Sequence, residues 1–300
     1  MTSPSNKLIC ILGPTAVGKT AYAVALATKL HTEIVSCDSR QFYEELNIGV
    51  ARPTPTELAA VPHHFIACRS VRNPFNVFTY QEEAIRRLET LFQSHDTVVA
   101  VGGSGLYIDA LCKGIAILPD PAPKLRARLK QQLADEGILS FQQQLRQLDP
   151  IYYEQVDHKN PIRLQRALEV CLTTGRPYSE VIRQELPRRD FAIEKVVLAA
   201  TPERLRERIN RRVDEMMTQG LDEEARQLLP LRHLTPLNTV GYKEFFSAWD
   251  LGNNRLEDIA ADIKTHTWQY AKKQITWLKR NSATDSKNQE TIFRQPPDLL

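Results

Sequence analysis

The chain has 300 residues, 42% of them hydrophobic, which suits one large domain or two smaller ones with a sizeable core. No segment is long and apolar enough to span a membrane, and the polar residues 1–7 do not resemble the start of a signal peptide. Five scattered cysteines without a C-x-x-C pair argue against a zinc site and a disulfide framework. We therefore expect a cytoplasmic protein that does not contact membranes.

The formal net charge is only +3, but the basic residues are unevenly placed. Residues 124–212 contain 18 Lys and Arg against 12 Asp and Glu. Such an excess is typical of a segment that binds a polyanion, and equally of a solvated, arginine-rich helical surface. The charge alone does not separate these two interpretations.

A phosphate-binding loop is the strongest motif in the chain. The pattern G-x-x-x-x-G-K-[ST] is matched by Gly13, Pro14, Thr15, Ala16, Val17, Gly18, Lys19 and Thr20. An apolar run precedes it and a helix-forming run follows it, as the motif requires. Its glycines let the backbone approach an anion, and the helix N-terminus directs N–H groups at that anion. The motif predicts a diphosphate or polyphosphate site, with Lys19 as a cation and Thr20 as a ligand for Mg²⁺. The alternative is a chance match in a turn.

The next elements are read in chain order. We predict a second strand over residues 33–37 and an irregular, proline-containing segment over 49–62. Thr79 and Glu82 have the spacing of a capping box, which predicts a helix opening there and ending near residue 93. A third buried strand is predicted over 97–101.

After three prolines at 119, 121 and 123, only helical patterns are visible as far as residue 189. One helix there is marked by Asn160 as N-cap, Pro161 in its first turn and Gly175 after its end. Strand character returns at 195–199, and Thr201 and Gly220 bound a further helix. Helices continue from 241 to about 279, and we expect residues 281–300 to be a disordered polar tail.

This order of elements predicts an α/β fold. Strands that alternate with helices form a P-loop NTPase-like parallel sheet with helices on both faces. We assign residues 1–120 and 195–280 to that catalytic core, whose C-terminal part is helical, and residues 121–194 to an all-helical insertion. No long heptad repeat or apolar stripe marks a dimer, so we expect a monomer.

Several polar residues are candidates for chemistry. Asp38 follows the second strand, where α/β sheets place their active sites; it is a candidate general base or magnesium ligand, or else a turn aspartate. Glycines at 102, 103 and 105 stand where a P-loop ATPase often has an acidic residue, which weakens the ATPase interpretation. Arg208 and Arg212 share a helix face and suit a phosphate clamp, unless they are ordinary surface charges.

Six segments together resemble one family. They are Gly13-Pro-Thr-Ala-Val-Gly-Lys-Thr20, Asp38-Ser-Arg-Gln41, Gly102-Gly-Ser-Gly-Leu-Tyr107, Arg163-Leu-Gln-Arg-Ala-Leu-Glu169, Val240-Gly-Tyr-Lys-Glu244 and Gln269-Tyr-Ala-Lys-Lys-Gln-Ile-Thr-Trp277. In this order, over residues 8–280, they resemble the bacterial tRNA dimethylallyltransferases, also called tRNA isopentenyltransferases. Two positions depart from the family pattern: Val17 replaces a small residue, and Ser104 replaces a threonine. The zinc-finger extension of eukaryotic relatives is not seen, which favours the bacterial type.

The resemblance implies transfer of a dimethylallyl group from dimethylallyl diphosphate to the exocyclic amine of the adenosine just 3′ of a tRNA anticodon. It implies that the P-loop binds the donor's diphosphate with Mg²⁺, and that the helical insertion binds the anticodon stem-loop. Asp38 matches the general base. Thr15, Lys19 and an arginine, Arg208 first and Arg212 as the alternative, match groups that stabilise the leaving diphosphate.

The resemblance also implies a set of tRNA-contacting residues. These are Asp38, Ser39, Arg40, Gln41, Ser104, Arg126, Ile162, Arg163, Leu164, Gln165 and Arg166. Competing hypotheses are a P-loop small-molecule kinase, an adenylate isopentenyltransferase that modifies free nucleotides, and an RNA-binding protein that keeps the loop only for structure. The helical insertion argues for tRNA over a free nucleotide.

Overall fold

A computed structural model describes residues 6–73, 75–183, 186, 188–282 and 289–294. The chain forms two compact units: Met1–Lys113 with Arg189–Leu300, and Gly114–Arg188. The second unit overlaps most of the helical insertion predicted over 121–194; it begins seven residues before that range and ends six residues before its end. Its predicted C-terminal boundary is displaced because the strand expected from residue 195 begins earlier, at Ala192.

The first unit is built on a parallel sheet. Its six strands are β1 (Lys7–Leu12), β2 (Ile34–Ser36), β3 (His63–His64), β4 (Thr97–Val101), β5 (Ala192–Leu198) and β6 (Gln289–Arg294). They lie in the order β3-β2-β4-β1-β5-β6, and every neighbouring pair is parallel. In the centre, Ile9 lies opposite Val99, and Ile11 lies opposite Val196. The predicted P-loop α/β fold is therefore confirmed.

After Lys7, the central strand β1 is apolar because both faces of the sheet are covered. Leu8, Cys10 and Leu12 of β1 pack into one hydrophobic cluster, whereas Ile9 and Ile11 pack into another on the opposite face. This alternation follows the two-residue period of a strand. It places the C-terminal end of β1, and hence the phosphate-binding loop, on a rigid base.

Helices make up most of the remaining described residues. They are α1 (Lys19–Leu30), α2 (Pro55–Ala60), α3 (Val77–Leu91), α4 (Gly105–Cys112), α5 (Pro123–Glu136), α6 (Ile138–Leu148), α7 (Pro150–Tyr153), α8 (Pro161–Thr174), α9 (Tyr178–Val181), α10 (Pro202–Thr218), α11 (Leu221–Leu228), α12 (Lys243–Asp250) and α13 (Leu256–Ser282). Two 3₁₀ turns cover Leu229–Leu231 and Thr235–Leu237. Among the helices that the structure describes, none is both long and apolar enough to cross a membrane.

The second unit consists of α5–α9 around its own hydrophobic core. Buried side chains of Leu129, Phe141, Leu145, Leu164 and Leu168 form that core. The predicted limits of α8 are confirmed: the side chain of its N-cap asparagine accepts from the N–H of residue 163, and its C-cap glycine has φ 67°. A separate core means that this unit has its own source of stability.

Three sequence expectations are corrected. Asn76, not Thr79, caps α3: its side chain accepts two first-turn N–H groups, and Thr79 lies inside the first turn. The segment 49–62 is not wholly irregular, because Thr54 and Glu57 form a capping box that opens α2. In the expected tail, residues 281–282 belong to α13 and Gln289–Arg294 pairs with β5; residues 283–288 and 295–300 lie outside the described part.

Candidate active site at the ends of the parallel strands

The phosphate-binding loop connects β1 to α1. Gly13 (φ 152°) and Gly18 (φ 101°) both have the backbone angles that favour glycine. A Cβ on Gly13 would also lie 2.7 Å from the carbonyl oxygen of Leu198. Gly18 is the N-cap of α1 and has no side chain to occupy the first-turn N–H groups. Those groups are therefore available to an anion.

Val17, the residue that departs from the family pattern in the loop, is fully buried. It belongs to the hydrophobic cluster that contains Ile11 and Ala23. Its side chain therefore points into the core, and the substitution leaves the phosphate-binding face unchanged.

Three cations surround this loop, and each donates to a neutral oxygen. Lys19 Nζ donates to the Pro14 carbonyl at 2.8 Å. Arg208 Nη1 donates to the Val17 carbonyl at 2.9 Å, and Arg212 Nη1 to Thr15 Oγ1 at 3.4 Å. Because these partners carry no negative charge, the site favours an anion.

The electrostatics of Lys19 reflect this arrangement. Loss of hydration, and then repulsion by Arg212, lower the pKa of Lys19 to about 8, while the charge of Asp38 opposes the shift. Loss of hydration also lowers the pKa of Arg212, against the charges of Glu215, Glu57 and Asp38. A bound diphosphate would supply the missing negative charge and favour the protonated lysine.

Two cavities meet at this point, with volumes of about 560 and 290 Å³. Thr15, Asp38 and Arg212 line both of them. The larger one, here the phosphate cavity, is also lined by Lys19 and Thr20. The smaller one, here the polar cavity, is also lined by Ser39, Arg40, Asn238, Thr239, Lys243 and Tyr270. Val50, Ala51 and Met216 also line both cavities. The polar residues Thr15, Asp38 and Arg212 therefore stand between a diphosphate site and a pocket rich in hydrogen-bonding groups.

Asp38 lies two residues beyond β2, and β4 separates that strand from β1. One carboxylate oxygen, Oδ1, accepts from the Arg40 N–H at 2.9 Å, so Asp38 does stabilise a turn. The same side chain lines both cavities. The turn hydrogen bond fixes the carboxyl group, and its second oxygen remains for chemistry.

The residues after Asp38 are held by distinct contacts. Ser39 donates its N–H to Ser104 Oγ at 3.1 Å, and their hydroxyls lie 3.2 Å apart. Arg40 Nη1 donates to the Pro236 carbonyl at 3.2 Å. Gln41 Nε2 donates to the carbonyls of Val50 and Ala51. Ser104 therefore connects the end of β4 to the end of β2, whereas Gln41 is directed at the backbone of a neighbouring loop.

Gln274 was not singled out as a site residue, although it lies in one of the six family segments. Its Oε1 accepts from the Thr15 N–H at 2.8 Å, and its Nε2 donates to the Gly103 carbonyl at 2.9 Å. It thereby joins the phosphate-binding loop to the glycine turn after β4. The signal in the sequence was a polar residue on the apolar face of a helix, between Ala271 and Leu278.

The aromatic residues of α13 divide between core and cavity. Trp277 and Trp268 pack against the two hydrophobic clusters, one against each. Tyr270 instead lines the polar cavity and is 42% exposed. Loss of hydration at its hydroxyl, followed by the charge of Asp38, raises the pKa of Tyr270 to about 12. Its hydroxyl is therefore a neutral hydrogen-bonding group at neutral pH.

The remaining predicted contact residues belong to the second unit. Ile162, Arg163, Leu164, Gln165 and Arg166 lie in the first turns of α8, and Arg126 lies on α5. Leu164 is buried in the core, so it supports the helix, while Ile162 is 78% exposed.

One buried carboxylate, Glu169, organises the polar part of this face. It accepts from Arg126 Nε at 3.3 Å, Arg166 Nη1 at 3.3 Å and Gln165 Nε2 at 2.9 Å. Three predicted RNA-contacting side chains therefore share one acceptor.

The phosphate cavity contains oxygen-bearing side chains that could take part in holding a metal ion. In the described part of the chain, no group of three or more His, Cys, Asp or Glu side chains could hold a metal. Thr20 and Asp38 both line the phosphate cavity. Mg²⁺ is commonly held by few protein oxygens, with substrate phosphates and water as its other ligands.

Comparison with known proteins gives consistent results. A family model described as IPP transferase matches residues 41–281. A tRNA dimethylallyltransferase from Christiangramia forsetii is 46% identical over 277 residues, or 92% of this chain and 91% of that protein. One from Flavobacterium johnsoniae is 43% identical and covers 92% of this chain and 91% of its own length.

Solved structures agree. A tRNA isopentenylpyrophosphate transferase from Bacillus halodurans superimposes with a TM-score of 0.66 at 30% identity, covering 98% of this chain and 92% of that one. A eukaryotic dimethylallyltransferase acting on tRNA gives a TM-score of 0.80 over 98% of this chain and 75% of that one. At 24% identity, that second likeness concerns the fold alone. Because the family model matches most of the sequence and relatives are 46% identical along nine-tenths of it, the chain belongs to the IPP transferase family.

Proposed function

We propose that this protein transfers a dimethylallyl group from dimethylallyl diphosphate to the N6 amine of the adenosine immediately 3′ of a tRNA anticodon, and releases diphosphate. The observation that carries the proposal is the junction of the two cavities at Thr15, Asp38 and Arg212. It provides a cationic diphosphate site and a polar pocket on either side of one carboxylate. The names of the relatives support this choice of donor and acceptor.

The donor fits the phosphate cavity. Its diphosphate would lie against the first-turn N–H groups of α1 and the ammonium group of Lys19, and Arg212 would face the bond that breaks. The apolar side chains of Ile48, Val50 and Met216 line the same cavity and suit a five-carbon prenyl group. Arg212 is a better candidate than Arg208 for the departing phosphate, because it lines both cavities while Arg208 binds the loop carbonyl.

The acceptor base fits the polar cavity. N6 attacks the first carbon of the allyl group, the carbon–oxygen bond breaks, and the electron pair leaves with diphosphate. Asp38 takes the proton that N6 loses. The target base must leave its stack to reach this point, as in other base-modifying enzymes. Ser39, Arg40 and Tyr270 would surround it with hydrogen-bonding groups.

A magnesium ion would neutralise part of the diphosphate charge when bound. Thr20 is the residue we expect to hold it, with the remaining ligands from the donor's phosphates and water. Lys19 and Arg212 then stabilise the charge that develops on the leaving group.

The second unit fits the anticodon stem-loop. Arg126, Arg163 and Arg166 supply the positive charge that a phosphate backbone requires. This surface gives the basic segment a function and argues against an adenylate isopentenyltransferase, which needs no RNA contacts. The glycines after β4 argue against the kinase, because that strand carries no acidic residue at its end.

A transfer assay tests the proposal. Radiolabelled dimethylallyl diphosphate and Mg²⁺ are incubated with unmodified tRNA that has adenosine beside the anticodon, with the same tRNA carrying guanosine there, and with AMP or ATP. We expect label in the first tRNA alone. Label in AMP or ATP would identify a free-nucleotide enzyme, and no label beside an active control enzyme would contradict the proposal.

A further inference from the structure

Both cavities share one wall, formed by residues 47–52 between β2 and α2. We call it the wall segment. Asn47, Ile48 and Arg52 line the phosphate cavity, while Val50 and Ala51 line both cavities. It belongs to no helix or strand, and Ala51 has the left-handed φ of 48°. A non-glycine residue in that conformation persists only where surrounding contacts hold it.

Glu224 of α11 provides such contacts at one end of the segment. Its two carboxylate oxygens accept from the N–H groups of Ile48 at 2.9 Å and Gly49 at 3.0 Å. At the other end, Gln41 donates to the carbonyls of Val50 and Ala51. Two N–H groups and two carbonyls of the wall are therefore bound by the side chains of Glu224 and Gln41.

Tyr242 fixes the acid that makes these contacts. The tyrosine side chain is fully buried, and its hydroxyl donates to Glu224 Oε1 at 2.6 Å. A Cβ on Gly49 would lie 2.5 Å from the tyrosine ring, and a Cβ on Gly241 would lie 3.1 Å from the Gly49 carbonyl oxygen. The wall segment and the chain around Tyr242 thus pack with no space for a side chain between them.

A second acid, which is buried, holds the other side of this contact. Glu244, only 5% exposed, accepts from the Gly241 N–H at 2.8 Å and contacts His266 Nδ1 at 2.7 Å. The adjacent residues Asn238, Thr239 and Val240 line the polar cavity. From the sequence, segment 240–244 had no role other than its resemblance to the family. In the structure it connects the wall segment to the residues that line the polar cavity.

We propose that Glu224 and Tyr242 are positioning residues that hold the wall segment in place between donor and acceptor. Neither Glu224 nor Tyr242 is among the described residues that line the two cavities. Both therefore act through residues 48–51. This inference rests on the proposed transfer reaction. A small displacement of the wall changes the distance between the attacking nitrogen and the allylic carbon, and displacements of about 1 Å can cost about 100-fold in rate.

The test compares two tyrosine-to-phenylalanine variants. Tyr242→Phe removes the hydroxyl that binds Glu224. The control, Tyr43→Phe, removes a hydroxyl that accepts from the Phe75 N–H at 3.3 Å, in a side chain that is also buried. Each variant loses one buried hydrogen bond, so we expect both melting temperatures to fall by about 2–4 °C. Glu224→Asp, which keeps the charge but shortens the reach, gives a second variant at the same contact.

Kinetics with labelled donor and unmodified tRNA then distinguish displacement of the wall segment from a general loss of protein stability. For Tyr242→Phe and Glu224→Asp we expect kcat/KM for both substrates to fall about tenfold or more. For Tyr43→Phe we expect a change below about twofold. Equal kinetics in all three variants would overturn the inference. An inactive wild-type protein would contradict the proposed function instead, so the two failures are distinguishable.

Discussion

In the α/β unit, the donated hydrogen bonds of Lys19, Arg208 and Arg212 go to neutral oxygens. In the helical unit, Arg126 and Arg166 share the carboxylate of Glu169. The first arrangement leaves the three cations without a hydrogen-bonded carboxylate, so it favours a compact, highly charged anion. The second holds two arginines in place at the surface and reduces their net charge, which suits contact with an extended polyanion. This difference supports the proposal that the α/β unit binds the diphosphate and that the helical unit contacts the RNA backbone.

The largest effect is expected from Lys19→Ala. The substitution removes the positive charge that stabilises the leaving diphosphate, and we expect kcat/KM to fall by about 10³-fold. Lys29→Ala, at the exposed end of the same helix, is the control and should change kcat/KM by less than about twofold. Near-normal transfer by Lys19→Ala would contradict the assignment of Lys19 to the diphosphate site.

Asp38→Asn separates the two functions of Asp38. Asparagine keeps the oxygen that accepts from Arg40, so the turn and the melting temperature should be preserved. It cannot take the proton from N6, so we expect kcat to fall by at least about 100-fold. Asp250→Asn, which removes the negative charge from a surface ion pair with Arg232, is the control. If Asp38→Asn keeps wild-type kcat, the aspartate serves the turn alone.

The lowered pKa of Lys19 predicts a pH-dependent affinity for diphosphate. Below about pH 8 the lysine is already protonated and binding is strongest. As the pH rises above 8 the free site loses its proton, binding must take one up, and the affinity should fall by up to about tenfold per pH unit. Titration calorimetry with inorganic diphosphate, in buffers of different ionisation enthalpy, measures this uptake.

Lys19→Ala is the matched control for the pH experiment, since it removes the titrating group. Its affinity for diphosphate should be weaker and should lack the part of the pH dependence that Lys19 causes. The same pH profile in both proteins would assign the titration to another group.

The sequence predicted the phosphate-binding loop and the limits of α8 well, because both depend on local backbone rules. Glycine conformations, N-caps and first-turn prolines act within a few residues. Asn76 shows the limit of such rules: two adjacent cap patterns competed, and the earlier one formed the helix start.

Contacts between distant residues could not be predicted in this way. Gln274 reaches Thr15 across 259 positions, and Glu224 reaches Ile48 across 176. Each depends on which elements the sheet order brings together. Strand β6 was missed for the same reason, because its pairing with β5 is a tertiary contact rather than a local preference.

The most direct test of this division is a steady-state comparison of Arg212→Gln with Arg166→Gln. The account predicts that Arg212→Gln lowers kcat by about 100-fold or more, because it removes the positive charge that stabilises the leaving diphosphate. It predicts that Arg166→Gln leaves kcat within about twofold of the wild-type value and raises the KM for tRNA about fivefold. The slope of log affinity for tRNA against log salt concentration should fall by about 1, the value for one lost phosphate contact. A fall in kcat caused by Arg166→Gln, or an effect of Arg212→Gln confined to the KM for tRNA, would contradict it.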